Sequence, residues 1–192
     1  MIKQACIIAL LALTVSCKDE VLPKPPGYLS LKFAEPSYKT SQSSKVPFNF
    51  DYNFAAAQLS NINYKQNLEQ LNFKISYPKL KADIFVNYTH FNKKELMGLI
   101  INAQKITDKH VQVADEIKVK SYENNETRTY GNLYTVTGNA ASTNQFYITD
   151  SINHFVTGSV YFRVKPNYDS ILPAANYIRN DVIQLMKSLK WK

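Results

Sequence analysis

The chain has 192 residues, of which 45% are hydrophobic and 12% aromatic, a composition typical of a globular protein and not of a disordered one. The formal net charge is +8, but the lysines are scattered along the chain instead of forming a basic stripe, so nucleic acid is not an expected partner. The two cysteines, Cys6 and Cys17, both lie near the N-terminus. We therefore expect neither disulfides nor cysteine-metal sites in the rest of the chain.

Residues 1–16 are predicted to be an export signal. Lys3 supplies a short positive start, and residues 5–13 are almost entirely apolar but too few to span a bilayer. Thr14-Val15-Ser16-Cys17 resembles the lipobox that lipoprotein signal peptidase cleaves, with Thr14 where leucine is usual. We expect Cys17 to become the acylated first residue, held at a membrane by chains such as palmitate. The alternative is a free thiol behind an ordinary secretory cleavage site.

Beyond the signal, the chain divides into a tether and one domain. Residues 17–27 contain a proline-rich spacer that should be extended and stiff, and residues 28–192 suit a single globular domain. Alternating apolar and polar residues predict strands at residues 28–33, 48–52, 82–88, 117–122, 129–137, 145–149 and 155–164. Residues 37–45 are predicted to be a loop. Residues 53–77 stay unassigned, because their composition fits a short helix and an irregular connection equally well.

Two helices are predicted. The first covers about residues 93–109, where Asn92 and Glu95 have capping-box spacing and apolar residues recur at intervals of three and four. The second covers about residues 170–189, with Asp169 and Ser170 as expected caps. Strands, then a helix, then a run of strands and a last helix indicate an α+β fold: an antiparallel sheet covered by two main helices.

No pattern in the sequence indicates catalysis, a cofactor or a metal. His90, His110 and His154 lie far apart and lack the close spacing of metal sites. Gly-x-Ser-x-Gly and phosphate-loop motifs are absent from the sequence. A glycosidase pair, for example Asp83 with Asp115 or Glu116, would require a separation that a sequence does not show. We expect a protein that is not an enzyme.

The C-terminal half carries a family resemblance. The segments that carry it are Tyr130-Gly131-Asn132-Leu133-Tyr134, Gly138-Asn139-Ala140-Ala141-Ser142, Gln145-Phe146-Tyr147-Ile148-Thr149-Asp150-Ser151, His154-Phe155-Val156-Thr157-Gly158-Ser159-Val160-Tyr161-Phe162, Lys165-Pro166-Asn167-Tyr168-Asp169-Ser170-Ile171-Leu172-Pro173-Ala174 and Leu189-Lys190-Trp191-Lys192. These segments resemble the gliding motility lipoprotein GldD family of Bacteroidetes. The resemblance implies a role in gliding motility and type IX protein secretion, with other proteins of that machinery as partners. The order of elements is also similar to PsbP-like sheets.

Two further groups of residues resemble signals used by Bacteroidetes. Lys18, Asp19 and Glu20 are similar to a lysine-plus-two-acids signal that sends lipoproteins to the cell surface, although an ordinary charged tether explains them nearly as well. Ser151 and Ser170 each follow an aspartate and precede an isoleucine, as in an O-glycosylation sequon. For Ser170 the helix-capping interpretation is preferred, so Ser151 is the better acceptor.

The leading hypothesis is a non-enzymatic accessory lipoprotein of the cell envelope, expected on the surface or the periplasmic face of the outer membrane. It would bind protein partners through the tyrosine-rich strands between Tyr130 and Phe162. Thr157 and Tyr161 are expected on the exposed side of those strands. Two alternatives stay open. One is a carrier that holds a lipid or glycan between helices and sheet. The other is an envelope hydrolase.

Overall fold

The computed structural model describes residues 32–65, 69–108, 114–164 and 167–192. Its helices in these ranges are α1 (Leu96–Asp108) and α2 (Tyr168–Ser188), with 3-10 turns at Pro78–Leu80 and Lys93–Glu95. Its strands are β1 (Tyr38–Thr40), β2 (Phe48–Asn49), β3 (Asp51–Asn53), β4 (Gln58–Leu59), β5 (Asn63–Lys65), β6 (Gln70–Tyr77), β7 (Ala82–His90), β8 (Ala114–Asn124), β9 (Thr129–Gly138), β10 (Ser142–Thr149), β11 (His154–Phe162) and β12 (Lys190–Trp191). The predicted α+β class is confirmed.

One large antiparallel sheet organises the structure. Its strands follow the order β4-β6-β7-β11-β10-β9-β8, and β5 also pairs with β6. The chain leaves the middle of the sheet after β7, passes through α1 and re-enters at the far edge as β8. Strands β8 to β11 then return, each pairing with the next, until β11 pairs with β7. Because of this path, α1 crosses one face of the sheet.

The core face of the sheet is the side packed against α2. Ile84, Val86 and Val160 on this face are almost completely buried, as the alternation in the sequence predicted. They pack with a stripe of α2 residues at spacings of three and four: Ile178, Val182, Leu185 and Leu189. Each such side chain contributes roughly 1.5–3 kcal/mol when it is fully buried. This contact holds α2 on the sheet.

The outer face is the opposite side, and α1 packs on only part of it. Leu96, Leu99, Ile100 and Ala103 of α1 are half-buried against a cluster formed by Phe91, Tyr134, Tyr147 and Phe155. The predicted capping box is present, with the backbone N–H of Asn92 donating to Glu95 Oε2 at 2.8 Å. The cluster lies on the β9, β10 and β11 side. We call the remaining part of the outer face, on β5, β6, β7 and the adjoining residues of β11, the open half.

Several elements differ from the predicted ones, and others fill the region that the sequence left unassigned. Residues 37–45 are not all loop, because they contain strand β1, which pairs with β3. Lys32 and Phe33 are not in a strand, and residues 28–31 of that predicted strand lie outside the described residues. The unassigned region holds β4, β5 and the eight-residue β6. Helix α2 begins at Tyr168 and is capped by Asn167 instead of by Asp169 or Ser170, and Pro173 lies inside it.

Candidate functional site

Several residues to which the sequence assigned a role lie outside the described part of the chain. They are Cys17, Lys18, Asp19, Glu20 and His110. Lipidation at Cys17 and the export role of the three residues after it therefore stay predictions. Among the described residues, no helix is both long enough and apolar enough to cross a membrane.

The two serines proposed as glycosylation acceptors have different surroundings. Ser151 is half-buried in the turn between β10 and β11, and its backbone has a φ of 63°. Ser170 is exposed in the first turn of α2. Its predicted capping role is wrong, because Asn167 Oδ1 accepts the hydrogen bond from the Ser170 N–H at 3.4 Å. Since Ser170 does not cap the helix, capping is no argument against its glycosylation. Ser170 is also more exposed than Ser151.

Two of the three histidines come together through strand pairing. His90 on β7 and His154 on β11 are direct partners in the ladder, and their ring centroids lie 5.9 Å apart. His154 Nδ1 and the Tyr88 hydroxyl are hydrogen-bonded at 2.8 Å, and the ring stacks on Trp191 with centroids 5.1 Å apart. In the part of the chain that the structure describes, no group of three or more His, Cys, Asp or Glu residues could hold a metal ion.

Electrostatics in this region come from burial and from Asp150. Burial, together with the charge of His90, lowers the pKa of His154, although Asp150 opposes the shift. Burial works to raise the pKa of Asp150, but hydrogen bonds from the N–H groups of His154, Ile152 and Asn153, each 2.9 Å long, outweigh it and the pKa is lowered. Asp150 thus stays ionised and fixes the turn, whereas His154 is held in its neutral form.

A groove beside His90 is the place where acid–base chemistry would be expected. It measures about 650 Å³ and its lining includes Glu69, His90 and Glu95. The glycosidase pair considered from the sequence is not brought together, because β11, β10 and β9 separate Asp83 from Asp115 and Glu116. Four strand spacings amount to roughly 19 Å, whereas glycosidase carboxyl groups lie about 5–9.5 Å apart.

A buried carboxylate on the core face was missed by the sequence analysis. Asp181 of α2 accepts hydrogen bonds from the hydroxyls of Tyr38 (2.7 Å) and Tyr77 (3.0 Å) and from Asn53 Nδ2 (3.1 Å). Burial raises the pKa of Asp181 although these hydrogen bonds act to lower it. Burial also raises the pKa values of Tyr38 and Tyr77. The sequence does contain a signal for its burial, since Asp181 lies three residues after Ile178 and so falls on the apolar stripe of α2.

The tyrosine-rich strands are less exposed than predicted. Tyr134 and Tyr147 are buried beneath α1, and their rings are members of the cluster on which this helix packs. Thr157 and Tyr161 do lie on the outer face, but they are half-buried instead of fully exposed. The space between α1 and the sheet near Thr157 amounts to about 10 Å³, room for about one water molecule and not for a lipid.

Because α1 covers part of those strands, its own solvent-facing side forms the protein surface there. Met97 and Ile101, four residues apart on this helix, are 66% and 41% exposed. Residues at this spacing are neighbours on one side of a helix. Gly98 beside them is also exposed. The result is an apolar ridge on the side of α1 that faces away from the sheet.

The open half of the outer face has a different character. Register places Asn63 of β5, Asn72 of β6, Asn87 of β7 and Thr157 of β11 side by side in one row across the strands. Phe85, which is 44% exposed, lies in the next row and meets Tyr161 edge to face at 5.8 Å. An amide row next to an exposed ring can bind a ligand by hydrogen bonds and by apolar contact together.

A comparison with known protein families gives a match over nearly the whole chain. The family described as gliding motility lipoprotein GldD matches residues 18–191. No curated protein and no solved structure matches the chain. The likeness to PsbP-like sheets therefore stays a prediction.

Proposed function

Since the chain belongs to the gliding motility lipoprotein GldD family, we propose that it is a non-catalytic component of the machinery for gliding and type IX secretion, which it serves by binding another protein of that machinery. The family membership implies a role in gliding motility and a lipid-anchored position in the cell envelope. The link to secretion, the absence of catalysis and the protein partner belong to the proposal.

The observation that carries the proposed protein contact is the apolar ridge of Met97 and Ile101. The other side of α1 already packs on the outer-face cluster, so the ridge is not needed to hold the helix in place. Met97 has the largest exposed fraction among the large hydrophobic side chains in the described ranges. Methionine is flexible and polarizable and is common at surfaces that bind proteins. A partner that covers this ridge would remove its apolar area from water.

A double substitution tests the contact. Met97→Glu together with Ile101→Glu should abolish gliding and secretion, because two charges would have to be buried in the partner interface. The free energy of unfolding should change by no more than about 0.5 kcal/mol, as is usual for surface positions. Val119→Glu is the matched control, since Val119 is 57% exposed and lies on the edge strand β8 instead of on α1.

A site-specific photo-crosslinker at position 97 should capture a protein of the gliding or secretion machinery in the native host. The same group at position 119 should not capture that protein. If the double variant is present at normal levels and the cells still glide, the ridge is not the contact surface.

The proposed anchor is a lipid on Cys17, with residues 17–27 as tether and residues 28–192 as the domain. The family match begins at residue 18, directly after this cysteine. Cys17→Ala should release the protein from membrane pellets, and mass spectrometry of the wild type should find acyl chains on Cys17. We place the anchor in the outer membrane. Lys18, Asp19 and Glu20 favour the cell surface, in which case protease treatment of intact cells should cleave the protein.

A further inference from the structure

The open half contains a cleft with four asparagines in its lining. Its volume is about 450 Å³, within the roughly 300–1,000 Å³ of ordinary ligand sites. Asn63, Asn72 and Asn87 lie side by side in the register of β5, β6 and β7, and Asn61 joins them from the segment between β4 and β5. The cleft is thus built by the strands themselves and not by one loop.

These amides are free to bind a ligand. Among the described residues, the side chains of Asn61, Asn63, Asn72 and Asn87 have no hydrogen-bond partner. Each amide offers two N–H donors and one carbonyl acceptor. A row of such groups fits a ligand that presents both donors and acceptors at short intervals. Hydroxyl and acetamido groups of a sugar have this property.

Phe85 supplies an apolar surface at the side of the amide row. Its ring is 44% exposed and lines the cleft, and Tyr161 fixes its orientation through an edge-to-face contact at 5.8 Å. One face of a hexose ring consists of C–H groups, which pack well on an aromatic ring. Aromatic ring and amides together match a sugar, which has an apolar face and a polar rim.

The charged residue in the lining of the cleft already has a carboxylate partner. Lys74 is the charged residue in the lining, and its Nζ lies 3.9 Å from Oδ1 of the buried Asp83. Arg163 Nε lies 3.5 Å from the other carboxylate oxygen of Asp83. The carboxylate thus holds Lys74 beside Phe85, with Nζ 6.0 Å from the ring centroid. Because Lys74 is engaged with this carboxylate and the other lining residues are uncharged, the cleft suits a neutral ligand.

We propose that the cleft on the open half binds a neutral glycan, with one sugar ring against Phe85 and its polar groups on Asn72 and Asn87. An extended peptide fits less well, because β6 is already paired with β5 and β4 on one side and with β7 on the other, so that its backbone is not available there. This inference does not rest on the protein contact at Met97 and Ile101. Either site can exist without the other.

The test is direct binding to sugars of known structure. The full lipidated protein, solubilised in a zwitterionic detergent because sugar-based detergents would compete, is titrated by isothermal calorimetry with cellohexaose, hexa-N-acetylchitohexaose, laminarihexaose and mannohexaose. At least one of these neutral hexasaccharides should bind. Phe85→Ala and Asn87→Ala should each weaken that binding by about tenfold or more, as expected when an apolar contact or hydrogen bonds to the ligand are lost.

Matched controls separate binding from general effects of substitution. Phe54→Ala removes a phenylalanine that is 51% exposed outside the cleft, and Asn180→Ala removes an exposed asparagine on α2. Both variants should bind as the wild type does, and so should the Met97→Glu and Ile101→Glu double variant. The proposal is overturned if none of the hexasaccharides binds, if the control variants lose binding equally, or if only an acidic polysaccharide such as alginate binds and salt abolishes it.

Discussion

The two faces of the sheet treat polar side chains in opposite ways. On the core face, Asp181 is buried and has three hydrogen-bond donors from residues distant in the chain, so its polar atoms are satisfied inside the protein. On the open half, the amides of Asn72 and Asn87 lie in adjacent strands and have no partner in the described ranges. Satisfied buried groups stabilise a fold, whereas unsatisfied exposed groups are available to bind other molecules.

The largest expected effect is on the core face. Asp181→Ala should lower the free energy of unfolding by about 3 kcal/mol, because Tyr77 and Asn53 would remain buried without their acceptor. Urea denaturation measures the change, with Asn180→Ala on the same helix as control. The loss is smaller than the full value of the hydrogen bonds, since the burial that raises the pKa of Asp181 also opposes its ionised form. A loss below about 1 kcal/mol would mean that water satisfies these groups.

Alanine substitutions at three glycines should change the free energy of unfolding by graded amounts. A Cβ at position 131 would overlap the carbonyl oxygen of Tyr147 in the neighbouring strand, and one at position 158 would overlap the ring of Phe146. Gly131→Ala should be destabilised by about 2 kcal/mol, and Gly158→Ala by about 1 kcal/mol because a ring can shift more easily than a backbone. Gly98→Ala on exposed α1, where a Cβ meets nothing, should instead stabilise by about 0.5–1 kcal/mol. Thermal and urea unfolding would show whether this order holds.

The sequence predicted the parts of the fold that depend on local patterns. The period of apolar residues predicted strands β7, β9, β10 and β11 and the apolar stripes of α1 and α2. Each of these elements buries one side, and the period reflects that side. Strand β6 alternates as clearly from Gln70 onward, but the asparagine-rich residues directly before it have no such period and obscure where the strand begins.

The binding surfaces required information that is not local. Met97 and Ile101 could be predicted as exposed, because the buried stripe of α1 fixes the opposite side of the helix. Asn72 and Asn87 could be assigned to a polar face, but not to adjacent positions, since only the register of β6 against β7 makes them neighbours. The partners of Asp181 are separated from it by up to 143 residues and share no pattern.

A smaller effect concerns the pH dependence of stability. The folded pKa of His154 is lowered from 6.5, chiefly by burial, so the unfolded chain takes up a proton that folded His154 resists. The free energy of unfolding should therefore fall as the pH drops below about 6.5. His154→Gln, which can still hydrogen-bond to Tyr88, should show a flatter dependence between pH 7 and pH 5 than the wild type (an interval of about two units around the ordinary histidine pKa). Equal slopes in the two proteins would contradict the predicted shift.

The smallest effect is expected at His90, and it tests whether the protein works without catalysis. His90 is exposed at the end of β7 and lines the groove that also contains Glu69 and Glu95, the arrangement closest to an acid–base site among the described residues. If the protein acts only by binding, His90→Ala should change the free energy of unfolding by no more than about 0.5 kcal/mol and leave gliding intact. Glu69→Gln, which removes a charge from the same groove without changing its shape, should behave in the same way.

Gliding on agar and urea unfolding are measured for both variants beside the Met97→Glu and Ile101→Glu double variant. Should either variant fold normally but stop motility, a chemical role for the groove would replace the binding proposal, because removing a single exposed proton donor or acceptor affects catalysis far more than it affects packing.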